Sequence, residues 1–137
     1  MQKPKYSLIM LIDDSEIDNF INLKMIESCH FAENVHVYSS GKSALEYLKN
    51  MERSKGTFNS SVPELIFLDI NMPGLDGFQF ADEFEKLDAQ FRAGIKIIVL
   101  TSSINPEDSK KSKQFPGIID FITKPLTQTA LMAIKNG

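Results

Sequence analysis

The chain has a single cysteine, Cys29, among its 137 residues, so no internal disulfide is available to it. That usage suits a reducing compartment. No stretch approaches the ~20 apolar residues of a membrane span. Leu8 to Ile12 follows Lys3 and Lys5 in the manner of a signal peptide, but the run is too short for an export core and stops at Asp13-Asp14. A cytoplasmic location is expected. Neither sign of charge is in large excess: 15 basic residues against 18 acidic ones leave a net charge of −3. This balance argues against a dedicated nucleic-acid binder, and the only basic cluster is Lys110, Lys111 and Lys113. Internal repeats, low-complexity tracts and composition shifts are also lacking, so nothing marks a second domain. What remains is ordinary globular composition, 42% hydrophobic and 24% charged. A chain of this length builds one domain that buries roughly two-thirds of its unfolded surface.

Short apolar runs bounded by turn signals occur at Ser7–Ile12, Val35–Tyr38, Leu65–Leu68, Ile95–Leu100 and Ile118–Ile122. They are rich in β-branched or aromatic residues and apolar on both faces, the pattern of strands covered by helices on both sides. Segments with helical period lie between them. Ile17, Phe20, Ile21 and Met25 form one apolar stripe, Ala44, Leu48 and Met51 a second, and Phe80, Phe84, Leu87 and Phe91 a third. Ser15, Ser40 and Asn105 before Pro106 mark helix starts. Strand–helix alternation repeated five times predicts an α/β fold with a parallel sheet and right-handed crossovers. The polar stretch Arg53–Val62 reads as an exposed loop. Glu107–Gln114 and Thr127–Lys135 read as weakly anchored helices, because they carry little apolar surface.

The strand ends carry the chemistry. Asp13-Asp14 follow the first strand and Asp69 the third. In an open α/β sheet, ligands gather beyond the carboxyl ends of the strands where the strand order reverses. With the order 2-1-3-4-5, strands one and three are neighbours and the three carboxylates converge. At ~4 Å and an effective dielectric near 20, each like-charge pair costs about 4 kcal/mol, so something must neutralise them. Oxygen ligands without a nearby histidine or cysteine favour Mg²⁺ or Ca²⁺, and a site with open positions suits Mg²⁺. Singly, Asp14 and Ser15 read as a helix cap and Asp69 as a loop start. The fourth strand ends at Thr101-Ser102 and the fifth at Lys124. A hydroxyl and an ammonium there can hold phosphoryl oxygens.

This constellation resembles the receiver domain of two-component response regulators, of the stand-alone, chemotaxis-regulator-like kind. The matching residues are Asp13-Asp14, Asp69 in LDINMPGLDG, Thr101 in IIVLTSS, and Lys124-Pro125 in FITKPL. The resemblance runs from about Tyr6 to Ile134 and implies a flavodoxin-like fold, five parallel strands in the order 2-1-3-4-5 with helices on both faces. It implies that Asp69 accepts a phosphoryl group from a sensor histidine kinase or histidine phosphotransfer protein. Asp13, Asp14, Asp69 and the backbone carbonyl of Asn71 would hold Mg²⁺. Thr101 and Lys124 would hold phosphoryl oxygens, Ser102 would leave the approach open, and Thr101 and Phe121 would form the switch. Gly77 would open a helix, and the Lys124–Pro125 peptide would be cis. The expected protein is a single receiver domain over residues 1–137 with no effector domain. It would be a monomer or weak homodimer that signals to a downstream protein and catalyses only its own phosphotransfer. An alternative is a Mg²⁺-dependent aspartyl-phosphate phosphatase, but that chemistry wants an acid two residues after the nucleophile, where this chain has Asn71. A degenerate receiver would lack the acceptor or the lysine.

Other residues carry bland readings. His30 and His36 flank a turn away from the acids, and Cys29 reads as half-buried packing. Asp18 reads as surface charge a turn beyond the acidic pair, and Asp76 as part of a turn.

Overall fold

The computed structural model describes residues 4–54 and 62–134. Its apolar runs pair as five parallel strands, β1 (Tyr6–Ile12), β2 (Ala32–Tyr38), β3 (Leu65–Asp69), β4 (Lys96–Thr101) and β5 (Ile118–Thr123). The spatial order is β2-β1-β3-β4-β5, as expected. Among the described residues six helices connect or follow them: α1 (Glu16–Ser28), α2 (Gly41–Arg53), α3 (Gly77–Glu85), α4 (Ala89–Arg92), α5 (Pro106–Ser112) and α6 (Gln128–Ala133). The three expected caps are in place. Ser15, Ser40 and Asn105 accept backbone N–H bonds from Asp18, Ser43 and Glu107 respectively, each relieving an orphan donor of a first turn. Asp76, read as a turn residue, is the N-cap of α3 and forms a capping box with Gln79.

Alternation along the central strands splits the core into two layers. Met10, Ile12, Ile66, Leu68 and Ile97 pack with Ala44, Leu45 and Leu48 of α2 and Phe80 and Phe84 of α3. Ile9, Leu11, Leu65, Phe67, Ile98 and Leu100 pack with Ile26 of α1 and Leu131 of α6. Full burial of one such side chain stabilises by roughly 1.5–3 kcal/mol, so the central strands are the firmest part of the molecule.

Three expectations need correction. The edge strands β2 and β5 are half-exposed rather than covered on both faces. Each has a single strand neighbour, and the helices beside β5 are only six and seven residues long. The third apolar stripe does not lie on one helix: α3 ends at Glu85 with Lys86 as its C-cap, and Asp88 caps the separate α4 that carries Phe91. Most informatively, the stripe on α1 faces outward over most of its length, with Ile17, Phe20 and Ile21 exposed to 72%, 60% and 45%, and only Met25 packs against the core. The buried face of that helix is Asn19, Asn22 and Ile26. Of the polar stretch Arg53–Val62, residues 55–61 lie outside the described residues, as does Lys135 of the expected last helix. Among the described residues no helix is long and apolar enough to cross a membrane.

Candidate functional site

Register brings the acids together. Ile12 pairs with Leu68, so the residues that follow, Asp13 and Asp69, emerge side by side at the carboxyl edge of the sheet. Ligand oxygens of Asp13, Asp14 and Asp69 lie within 4.8 Å of one another. Asp13 is 1% exposed and Asp69 4%. The Asp13 carboxylate accepts the Ser15 N–H at 2.9 Å and the Lys124 ammonium at 2.8 Å. Asn71, two residues further on, directs its N–H at Asp69 Oδ1 over 3.4 Å.

Lys124 enters from β5. Its peptide bond to Pro125 is cis, as expected, and its backbone N–H donates to the Thr101 carbonyl at 2.8 Å. The loop beyond is fixed to α1 by the Leu126 N–H, which donates to Asn22 Oδ1 at 2.9 Å. Lys124 Nζ lies 2.8 Å from Asp13, 2.9 Å from Asp18 and 3.6 Å from Asp69. Burial works against its positive charge, yet hydrogen bonds to Asp13 and Asp18 and the charges of Asp69 and Asp13 hold the ammonium well above the usual lysine range. At Asp69, burial and the neighbouring Asp13 charge push the carboxyl up, and Lys124 and the Asn71 N–H only partly oppose them.

Thr101, at the end of β4, is buried, and its hydroxyl donates to the Ser103 carbonyl at 2.9 Å. Ser102 is exposed and lines a recess of about 270 Å³ with Asp18, Ile21, Asn22, Lys124 and Pro125. Phe121 is half-buried and packs against Ile70, Phe78 and Val99. Gly77 starts α3, as expected. A Cβ there would lie 2.6 Å from Ile70 Cα and 2.9 Å from the Asp69 carbonyl, so only glycine allows the helix this close to the strand end.

The structure therefore unites Asp13, Asp14, Asp69 and Lys124, with Thr101 and Phe121 on the flanking strands. His36 packs edge-on against Tyr47, and Cys29 lies against Met25, so neither belongs to the site. The residue missed from the sequence is Asp18. It is the third residue of α1, and helical side chains lean towards the N-terminus. Its carboxylate is thereby thrown back over the strand end. That lean is the signal by which it was findable. Asn19 Nδ2, donating to the Asp13 carbonyl at 2.7 Å, was hidden in the same way.

The donor set of Asp13, Asp14 and Asp69 is all oxygen, with two of the three carboxylates buried, and the one ammonium at the site faces Asp13, Asp18 and Asp69. A hard divalent cation such as Mg²⁺ fits it. Together with a hydroxyl and an ammonium at adjacent strand ends, this arrangement can stabilise phosphoryl transfer to a carboxylate.

Comparison with known proteins agrees. The response regulator receiver domain family matches residues 9–136. The chemotaxis protein CheY of Halobacterium salinarum is 30% identical, over 90% of this chain and 89% of that protein. The sensor histidine kinase CheAY of Helicobacter pylori is 28% identical over 96% of this chain, which spans only 15% of that kinase. Among solved structures, a two component response regulator from Cytophaga hutchinsonii has a TM-score of 0.81 and 31% identity, covering 96% of this chain and 93% of the other.

Proposed function

This chain belongs to the response regulator receiver domain family, and on that premise we propose that it is a phosphorylation-dependent signalling switch whose acceptor is Asp69. The observation that carries the reading is the convergence of Asp13, Asp14 and Asp69 at adjacent strand ends, with Lys124 set against Asp13 and Asp69. An Asp69 carboxylate oxygen attacks the phosphorus of a phosphohistidine on a sensor histidine kinase or phosphotransfer protein. The new O–P bond forms as the N–P bond breaks, and its electron pair returns to the imidazole. Lys124 supplies positive charge to the phosphoryl oxygens and Thr101 a hydroxyl donor, while the buried floor of the site holds the acceptor in line. Asp13, Asp14, Asp69 and the backbone carbonyl of Asn71 would hold Mg²⁺, which supplies charge neutralisation when bound.

The signal leaves through a changed surface that a downstream protein reads, and the chain acts in the cytoplasm as one receiver domain, monomeric or weakly dimeric. The phosphatase alternative finds no support at the position after next, where Asn71 offers an amide in place of an acid. The test is labelling with acetyl phosphate or phosphoramidate, followed by intact mass. Wild type gains one phosphate with Mg²⁺ and none with chelator, and Asp69→Asn gains none. Labelling of Asp69→Asn at the wild-type rate would move the acceptor elsewhere.

A further inference from the structure

We propose that Asp18 is a positioning residue: it holds the Lys124 ammonium off Asp69 at rest and competes with the phosphoryl group for that ammonium afterwards. The inference rests on Asp69 being the acceptor. Lys124 has three N–H donors, and two carboxylates claim it at hydrogen-bonding distance, Asp13 at 2.8 Å and Asp18 at 2.9 Å. Asp69 stands at 3.6 Å, beyond a direct hydrogen bond. Its oxygen therefore keeps its lone pairs for attack instead of spending one on the lysine.

The tether has a fixed anchor. The Asp18 N–H donates to the Ser15 hydroxyl, and Asn19 binds the Asp13 carbonyl, so the first turn of α1 is locked to the end of β1. When a phosphoryl group forms on Asp69, the ammonium is drawn to a stronger, charged acceptor and must release a partner. Asp13 is 1% exposed, so the oxygen that lost the lysine would find no water to replace the hydrogen bond. Asp18 is 39% exposed, so water can resolvate it at little cost. Asp18 is the partner released, and its bond to Lys124 is a cost subtracted from every phosphoryl-bound state.

Beryllofluoride, a phosphoryl mimic, reads this competition at equilibrium. Titrations at saturating Mg²⁺ would follow backbone amides and the Lys124 Nζ resonance by NMR. Asp18→Asn should bind beryllofluoride about three- to five-fold more tightly than wild type, the scale of a partly exposed ion pair. Among the described residues the lysine's carboxylate partners are Asp13, Asp18 and Asp69, so Glu16→Gln, an exposed change on the same turn, should match wild type. The Lys124 Nζ resonance should differ between wild type and Asp18→Asn in the free proteins and coincide in the two complexes. Equal affinities, an equal gain in Glu16→Gln, or Nζ resonances that stay apart in the complexes would each overturn the tether. Failure of the wild type to bind beryllofluoride would overturn the acceptor reading itself, and the tether with it.

Discussion

Asp13 and Asp69 stand on strands buried from Leu8 to Ile12 and from Leu65 to Asp69, and α3 is pressed onto the second of them at Gly77. Thr101 and Lys124 stand on the other half of the same edge, where the support thins beyond the buried Thr101. Ser102 to Asn105 are exposed, α5 buries only Ser112, and β5 is half-exposed along its length. The carboxylates, proposed to receive and hold a phosphoryl group, sit where displacement is costly. The half-buried Phe121 and the loop beyond Thr101, proposed to respond, sit where it is cheap, as expected of elements with few buried contacts. On that reading, reaction and response have different mechanical settings within one sheet.

The largest expected effect tests the firm half. Gly77→Ala places a Cβ 2.6 Å from Ile70 Cα and 2.8 Å from Ile70 Cγ2, and backbone at that distance cannot yield without moving α3. A loss of about 2–3 kcal/mol in denaturant unfolding is expected, with slower labelling of Asp69. Phe115→Ala tests the loose half. That ring stacks on Phe78 at 5.9 Å, and Lys111 Nζ lies 4.8 Å from the centroid of the Phe78 ring. The first contact lies just past the end of α5 and the second in its last turn. A loss of about 1 kcal/mol is expected, and faster amide exchange should be confined to Pro106–Ser112 and its flanks. An equal cost at both positions would erase the contrast.

A smaller effect comes from the charge stored at Asp69. Burial and the Asp13 charge raise its folded value above the usual aspartate value of 3.8, so the native state holds the proton more tightly than the unfolded chain. By linkage, the stability this group contributes is fully present below the unfolded value and is lost as pH rises through the folded one. Without divalent cation, Asp69→Asn should therefore unfold later than wild type at neutral pH. The difference should close as pH falls towards 3.8. Urea midpoints across that range measure it, and a difference that widens on acidification would refute the sign.

Much of the site was legible because its parts end apolar runs. Asp13, Asp69, Thr101 and Lys124 each close a strand, and strand closure is visible as a change from apolar to polar residues. The cap residues Ser15, Ser40 and Asn105 were legible for the same local reason. The inner face of α1 was not. Periodicity assigns Ile17, Phe20 and Ile21 to the core, but Asn19 and Asn22 take the inner positions by bonding the Asp13 carbonyl and the Leu126 N–H. Those partners come from β1 and from a loop more than a hundred residues away, and no pattern within the helix encodes them. An apolar stripe at helical spacing has the same composition whether it faces the core or solvent, so periodicity alone could not place it.

Thr101→Ala should cost least in stability and most in communication. The Thr101 hydroxyl is spent on the Ser103 carbonyl at 2.9 Å, which ties the end of β4 to the loop leading into α5. A phosphoryl oxygen on Asp69 is the stronger acceptor, and the hydroxyl that turns to it must release Ser103. The loop then loses a tie, and α5, with one buried residue of its own, can follow. Phe121 already leans on Ile70, Phe78 and Val99, so the space Thr101 vacates opens beside a ring that needs only a short movement to fill it. A ligand shifts such an equilibrium only by its differential affinity for the two arrangements, and the hydroxyl is the contact that supplies the difference. Beryllofluoride should therefore still bind Thr101→Ala at Asp69, while the amide shifts it causes across Asn105–Phe121 shrink relative to wild type. If the two proteins respond equally over that span, the relay from Asp69 runs through the backbone of β4 and not through the Thr101 side chain.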